Sequence, residues 1–65
     1  MNYQYHIYIK DMEQPTPIII TDEHGCDEDA ILHGEHLYTE NASFDLVNVY
    51  KHDSQLKFLR YFGKL

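Results

Sequence analysis

Only one cysteine, Cys26, stands among the 65 residues, so no disulfide can close within one chain. A domain this small buries only about 60% of the surface its unfolded chain exposes. Such scaffolds lean on disulfides, a metal or a partner subunit. With the first excluded, metal, self-association or close packing remain. A lone thiol also suits a reducing compartment, which points to the cytoplasm.

Long apolar runs are absent as well. Ile18-Ile19-Ile20 is the longest aliphatic stretch, against the ~20 residues a spanning helix needs. Met1 is followed by Asn2, Tyr3 and Gln4, not by the basic and apolar regions of a secretory signal. No membrane partner is expected. Glycine is scarce, and neither a glycine-rich phosphate loop nor a nucleophile elbow occurs. A chain of this size has little room for a ligand pocket of ordinary volume. No catalytic residues and no small-molecule substrate are therefore assigned, and an enzyme is not expected. His33-Gly34-Glu35 matches a fragment of the zinc deaminase signature, but the accompanying P-C-x-x-C is missing.

Basic residues are few. Five Lys and Arg face eleven Asp and Glu, for a net charge of −6 with neutral histidines. Residues 1–45 hold ten of the acids and only Lys10 as a base. Residues 46–65 hold Asp53 against Lys51, Lys57, Arg60 and Lys64. Net negative charge opposes direct binding to phosphate backbones.

What the chain does have is aromatic and β-branched residues: six Tyr, three Phe and several Ile and Val. These supply a core and weigh against disorder. Residues 3–10 alternate, with Tyr3, Tyr5, Ile7 and Ile9 on one side and Gln4, His6, Tyr8 and Lys10 on the other. That is the pattern of a half-buried strand. Asp11 to Pro17, with two prolines, reads as a turn, and Ile18 to Thr21 as a short strand paired with the first. In the acidic stretch Asp22 to Asp29, Asp27 is placed to cap a short helix, with Glu28 and Asp29 near its positive end. Between Ala30 and Thr39 two arrangements stay open: a helix weakened at Gly34 by about 1 kcal/mol, or a helical turn followed by a strand. Residues 44–51 and 56–62 form a second hairpin around a polar turn.

The fold expected is mainly β. A small antiparallel sheet of two hairpins carries at most one short helix, with residues 1–65 as a single domain. A small closed β-barrel is the alternative. The expected core is Tyr5, Ile7, Ile9, Ile19, Ile31, Leu37, Phe44, Leu46, Leu56, Phe58 and Phe62. Strict alternation puts Phe44, Leu46 and Tyr50 opposite Val47 and Val49, and Leu56, Phe58 and Phe62 opposite Leu59 and Tyr61. Apolar residues on both faces imply two covers.

The function expected is that of a small acidic protein acting through protein–protein contacts, with itself as a homodimer or with another protein. Tyr8, Tyr50, Leu59 and Tyr61 are assigned to that surface, tyrosine being well suited to interfaces. A nucleic-acid-linked role is one alternative. It could act through stacking by the mixed basic and aromatic run from Lys57 to Lys64, or through acidic mimicry of nucleic acid. A zinc-stabilised module is the other. His24, Cys26, His33 and His36 are ligand types that zinc accepts, although the one-residue spacer in His24-x-Cys26 is tighter than usual.

Overall fold

A computed structural model describes residues 1–10 and 16–63. Residues 11–15 of the turn expected at Asp11 to Pro17, and the base Lys64, lie outside them. Strand β1 (Asn2–Ile9) is followed by β2 (Ile18–Glu23), helix α1 (Asp27–Glu40), β3 (Phe44–His52) and β4 (Leu56–Gly63). The four strands form one open sheet in the order β2-β1-β3-β4, with every neighbouring pair antiparallel. The expected mainly β architecture of two hairpins with one helix is observed, and the sheet does not close into a barrel. The two hairpins are β1–β2 and β3–β4. Because β1 lies between them, β2 and β3 run parallel to each other, and α1 is the crossover that parallel strands require.

The alternation of β1 holds along the strand. Tyr3, Tyr5 and Ile7 are fully buried under the helix, while Gln4, His6 and Tyr8 point to the other face. Val47 and Val49 of β3 and Ala30 of α1 complete the buried core. Ile31, Leu37, Tyr38, Phe44, Leu59 and Phe62 pack around it. Helix α1 lies over β3 and β4.

The middle segment is one continuous 14-residue helix. Gly34 does not break it but brings it close to the sheet. A Cβ there would lie 2.6 Å from Val49 Cγ2 and 3.4 Å from Tyr5 Cε1. Cys26 occupies the N-cap position without a side-chain cap bond. Asp27, expected to be the cap, is instead the first helical residue. Its Oδ1 accepts a 2.6 Å hydrogen bond from the Tyr3 hydroxyl, tying the helix start to the sheet. At the other end Asn41 Nδ2 donates to the Leu37 carbonyl at 2.8 Å, satisfying one of the carbonyls a helix end leaves free.

Two register shifts decide which residues reach the core. Tyr8 pairs with Leu46 but Ile9 with Phe44, so Asp45 is an extra residue in β3. Val49 pairs with Arg60 but Tyr50 with Phe58, so Leu59 is an extra residue in β4. Each bulge reverses the parity of the strand beyond it. Phe44 therefore joins Val47 and Val49 against the helix, and Leu59 joins Phe62 there. Three expected core residues are instead exposed, Ile19 at 54%, Leu56 at 46% and Phe58 at 51%. Leu59, assigned to the contact surface, packs against the core instead. Tyr3, Ala30, Val47 and Val49 are buried core residues absent from the expected list, although alternation places Tyr3 on the side of Tyr5 and Ile7.

Among the described residues, no helix is long and apolar enough to cross a membrane.

Candidate functional site

Among the described residues two features carry chemistry: the sheet face that none of them covers, called here the uncovered face, and a polar cluster between β2 and α1.

The uncovered face begins with the strand pairing. Gln4, His6 and Tyr8 of β1 sit beside Thr21 and Ile19 of β2 on one flank. On the other flank they adjoin Tyr50, Asn48 and Leu46 of β3. Phe58 and Tyr61 of β4 extend the rows. Aromatic rings line up across it. The His6 and Tyr50 ring centroids are 4.4 Å apart, and Tyr50 meets Phe58 edge-on at 5.6 Å. A polar chain threads the same face: His6 Nε2 lies 3.0 Å from Gln4 Oε1, and Gln4 Nε2 donates to His52 Nδ1 at 3.2 Å. Burial holds the His6 imidazole below its usual pKa, favouring the neutral ring.

At its regularly paired positions this face carries no lysine, no arginine and no aspartate. The one ionised side chain among them is Glu23, at the last position of β2. The cations of β4 lie on the other side. Lys57 pairs with Lys51, which reaches Asp27 of the helix at 3.6 Å. The Arg60 guanidinium sits 5.2 Å over the Phe62 ring. The arrangement thus separates the bases from Tyr50, Phe58 and Tyr61, the rings a nucleic acid would stack upon. Of the residues assigned to a contact surface, Tyr8, Tyr50 and Tyr61 lie together here and Leu59 does not. Ile19, Leu56 and Phe58 join them, and the bulge at Leu59 is what places the last two outward.

The second feature starts at the end of β2. Asp22 pairs with Tyr3, and so points to the helix side. His24, two residues on, follows it to the same side. His33, one turn and a half into α1, faces them. His24 Nε2 lies 3.6 Å and His33 Nε2 3.7 Å from Asp22 Oδ2. The two imidazoles are 5.2 Å apart between centroids. The fully buried Tyr5 hydroxyl donates to the Ala30 carbonyl at 2.8 Å and accepts from His24 Nε2 at 3.0 Å. Burial first, and then the nearby Asp22 carboxylate, push the Tyr5 phenol up to about 12. Tyr3 is likewise pushed up to about 12, by burial and then by Asp27. Both phenols therefore keep their protons and act as donors.

Of the four metal ligands read from the sequence, the structure brings together His24 and His33. Cys26 and His36 are both exposed and outside the group. Asp22 is the member that was missed. Its signal was the Asp-x-His spacing on a strand, where alternate residues share a face.

A shallow depression of about 510 Å³ lies between the helix start and the β3–β4 turn. Its Lys51 ammonium is held by Asp27 at 3.6 Å and Asp53 at 4.0 Å.

Comparison of the chain with models of protein families, with curated proteins and with solved structures finds no match.

Proposed function

We propose that this protein is a non-enzymatic interaction module that associates with a second copy of itself through the uncovered sheet face. The observation that carries the reading is the pairing of exposed apolar side chains with a surface almost uncharged at its regularly paired positions. Ile19, Phe58 and Tyr61 are 54%, 51% and 43% exposed, in a chain that carries sixteen charged residues. An apolar patch of this kind is where soluble proteins make contacts. A chain of net charge −6 repels its copy least where acids are scarce, and this face is that place. A strongly charged partner would find little there to pair with. Tyrosine, histidine and asparagine supply polar tips among the rings, as interfaces favour.

Four strands about 4.8 Å apart and some six residues long at ~3.3 Å each make a face of roughly 400 Å² in projection. Two copies laid face to face bury at least ~800 Å² in total, which belongs with weak, reversible associations. The expected dimer is therefore concentration-dependent.

Molar mass by light scattering over a series of protein concentrations tests the reading. The mass should climb from monomer toward dimer. Phe58→Glu combined with Tyr61→Glu should hold it at monomer while far-ultraviolet circular dichroism stays unchanged, since both side chains are exposed in the single chain. A mass that remains monomeric at millimolar concentration ends this reading.

A further inference from the structure

We propose that Asp22, His24 and His33 form a binding site for one divalent metal ion of the zinc class. The site would clamp the edge of the sheet to the helix. Three observations lead there.

The first is the donor set. Two imidazoles and one carboxylate suit zinc and its neighbours in the first transition row, and water fills the remaining positions. The second is distance. A tetrahedral ion with bonds of ~2.0–2.1 Å keeps its ligand atoms about 3.3 Å apart. The Asp22 carboxylate oxygen already stands 3.6 Å from one imidazole nitrogen and 3.7 Å from the other. One ligand atom from each residue lies within 4.8 Å of both others. A modest contraction closes the set. The third is access and support. Asp22 and His33 side chains are 45% and 40% exposed, so an ion and its waters can enter. His24 is mostly buried at 16% and is aimed by the tyrosines beside it, with ring centroids 5.8 Å from Tyr3 and 6.3 Å from Tyr5. Ligation through His24 Nε2 places its proton on Nδ1. The metal then replaces the bond to the Tyr5 hydroxyl, which keeps its bond to the Ala30 carbonyl.

The position gives the ion something to do. Among the described residues strand β2 has β1 as its sole partner in the sheet, and all six of its own residues are exposed. Helix α1 lies over β3 and β4, toward the opposite edge of the sheet. Asp22 and His24 belong to β2 and the residue after it, and His33 to α1. An ion between them ties the least supported strand directly to the helix. The site is on the helix side of the sheet, opposite the face proposed for self-association, so the two readings stand or fall separately.

The test uses the full chain, stripped with a chelator, and zinc chloride alone as the probe. Thermal unfolding is followed with and without zinc, and binding by isothermal titration. One ion per chain should bind, and the melting temperature should rise with zinc concentration as a native-state ligand requires. Asp22→Asn and His33→Gln should each weaken binding by more than about tenfold, as loss of a ligand or its support does. Both should melt near the metal-free wild type when zinc is absent, because both side chains are half exposed. A Cys26→Ser, His36→Gln double variant should bind as wild type does. The cobalt(II) form should show d–d absorption without a thiolate charge-transfer band. The proposal is overturned by any of four results: no thermal shift in the wild type, a shift undiminished by His33→Gln at the same zinc concentration, a shift lost in the Cys26 and His36 variant, or a zinc-induced rise in molar mass.

Discussion

Gly34 shows how one missing methyl shapes the domain. In a helix, alanine is favoured over glycine by about 1 kcal/mol, so Gly34→Ala should stabilise α1 taken alone. In the folded chain the new Cβ would stand 2.6 Å from Val49 Cγ2, and a valine side chain cannot swing aside freely. We expect Gly34→Ala to lower stability by about 1–3 kcal/mol, read from chemical denaturation midpoints. Tyr5 gives a second single-residue prediction. Tyr5→Phe keeps the ring but loses the bonds to the Ala30 carbonyl and to His24. It should cost about 1–2 kcal/mol in the same assay. Gly34 also marks a limit of reading from sequence. Its helix cost was visible, but its use as the contact point with Val49 depends on a strand far away in the chain. The cluster was half legible for a similar reason. His24 and His33 attract attention as ligand types, whereas Asp22 looks like one more acid in an acidic stretch.

At the scale of elements, β1 was fully legible because it contains no irregularity before Tyr8. The second hairpin was not. Asp45 and Leu59 are ordinary residues, and nothing in their chemistry announces a bulge. Yet each changes the parity of its strand and so decides which side chains meet the helix. The expectation that both faces hold apolar residues survives this correction, but with different members: Leu56 and Phe58 outward, Leu59 inward. Strand β2 supports a prediction of its own. It is an edge strand, exposed at every residue, and local opening is cheapest where cover is thin. Amide hydrogen exchange, resolved by residue, should be fastest among the strands in β2 and slowest in β1 and β3. Saturating zinc should slow exchange at the Asp22 end.

For the whole molecule, acid should weaken the fold in two stages. Burial lowers the His6 pKa from 6.5, so the folded state prefers the neutral ring. That contribution is complete above pH 6.5 and is lost as pH falls through the lowered value. Asp27 is held below 3.8 by the Tyr3 hydrogen bond first and by Lys51 as well. Its contribution is present above pH 3.8 and disappears as the carboxylate protonates below it. Melting temperature measured in chelator across the acid range should show both declines. His6→Gln should flatten the upper one and leave the lower one in place. A profile in which His6→Gln changes nothing would remove His6 from the account.

The placement of β1 at the middle of the sheet has a kinetic side. Tyr5 pairs with Val49, 44 positions further on, and among the described residues the fully buried large side chains come from β1 and β3. The first hairpin, β1 with β2, can close locally, but it has no core to rest on until β3 arrives. The chain must therefore bear the loop-closure entropy of a long segment before any apolar contact offsets it. On a ribosome this domain stays uncommitted until the codons beyond Val49 are read. Until then Tyr3, Tyr5 and Ile7 stand uncovered beside Ile18-Ile19-Ile20, an aggregation-prone neighbourhood whose shelter comes only with β3.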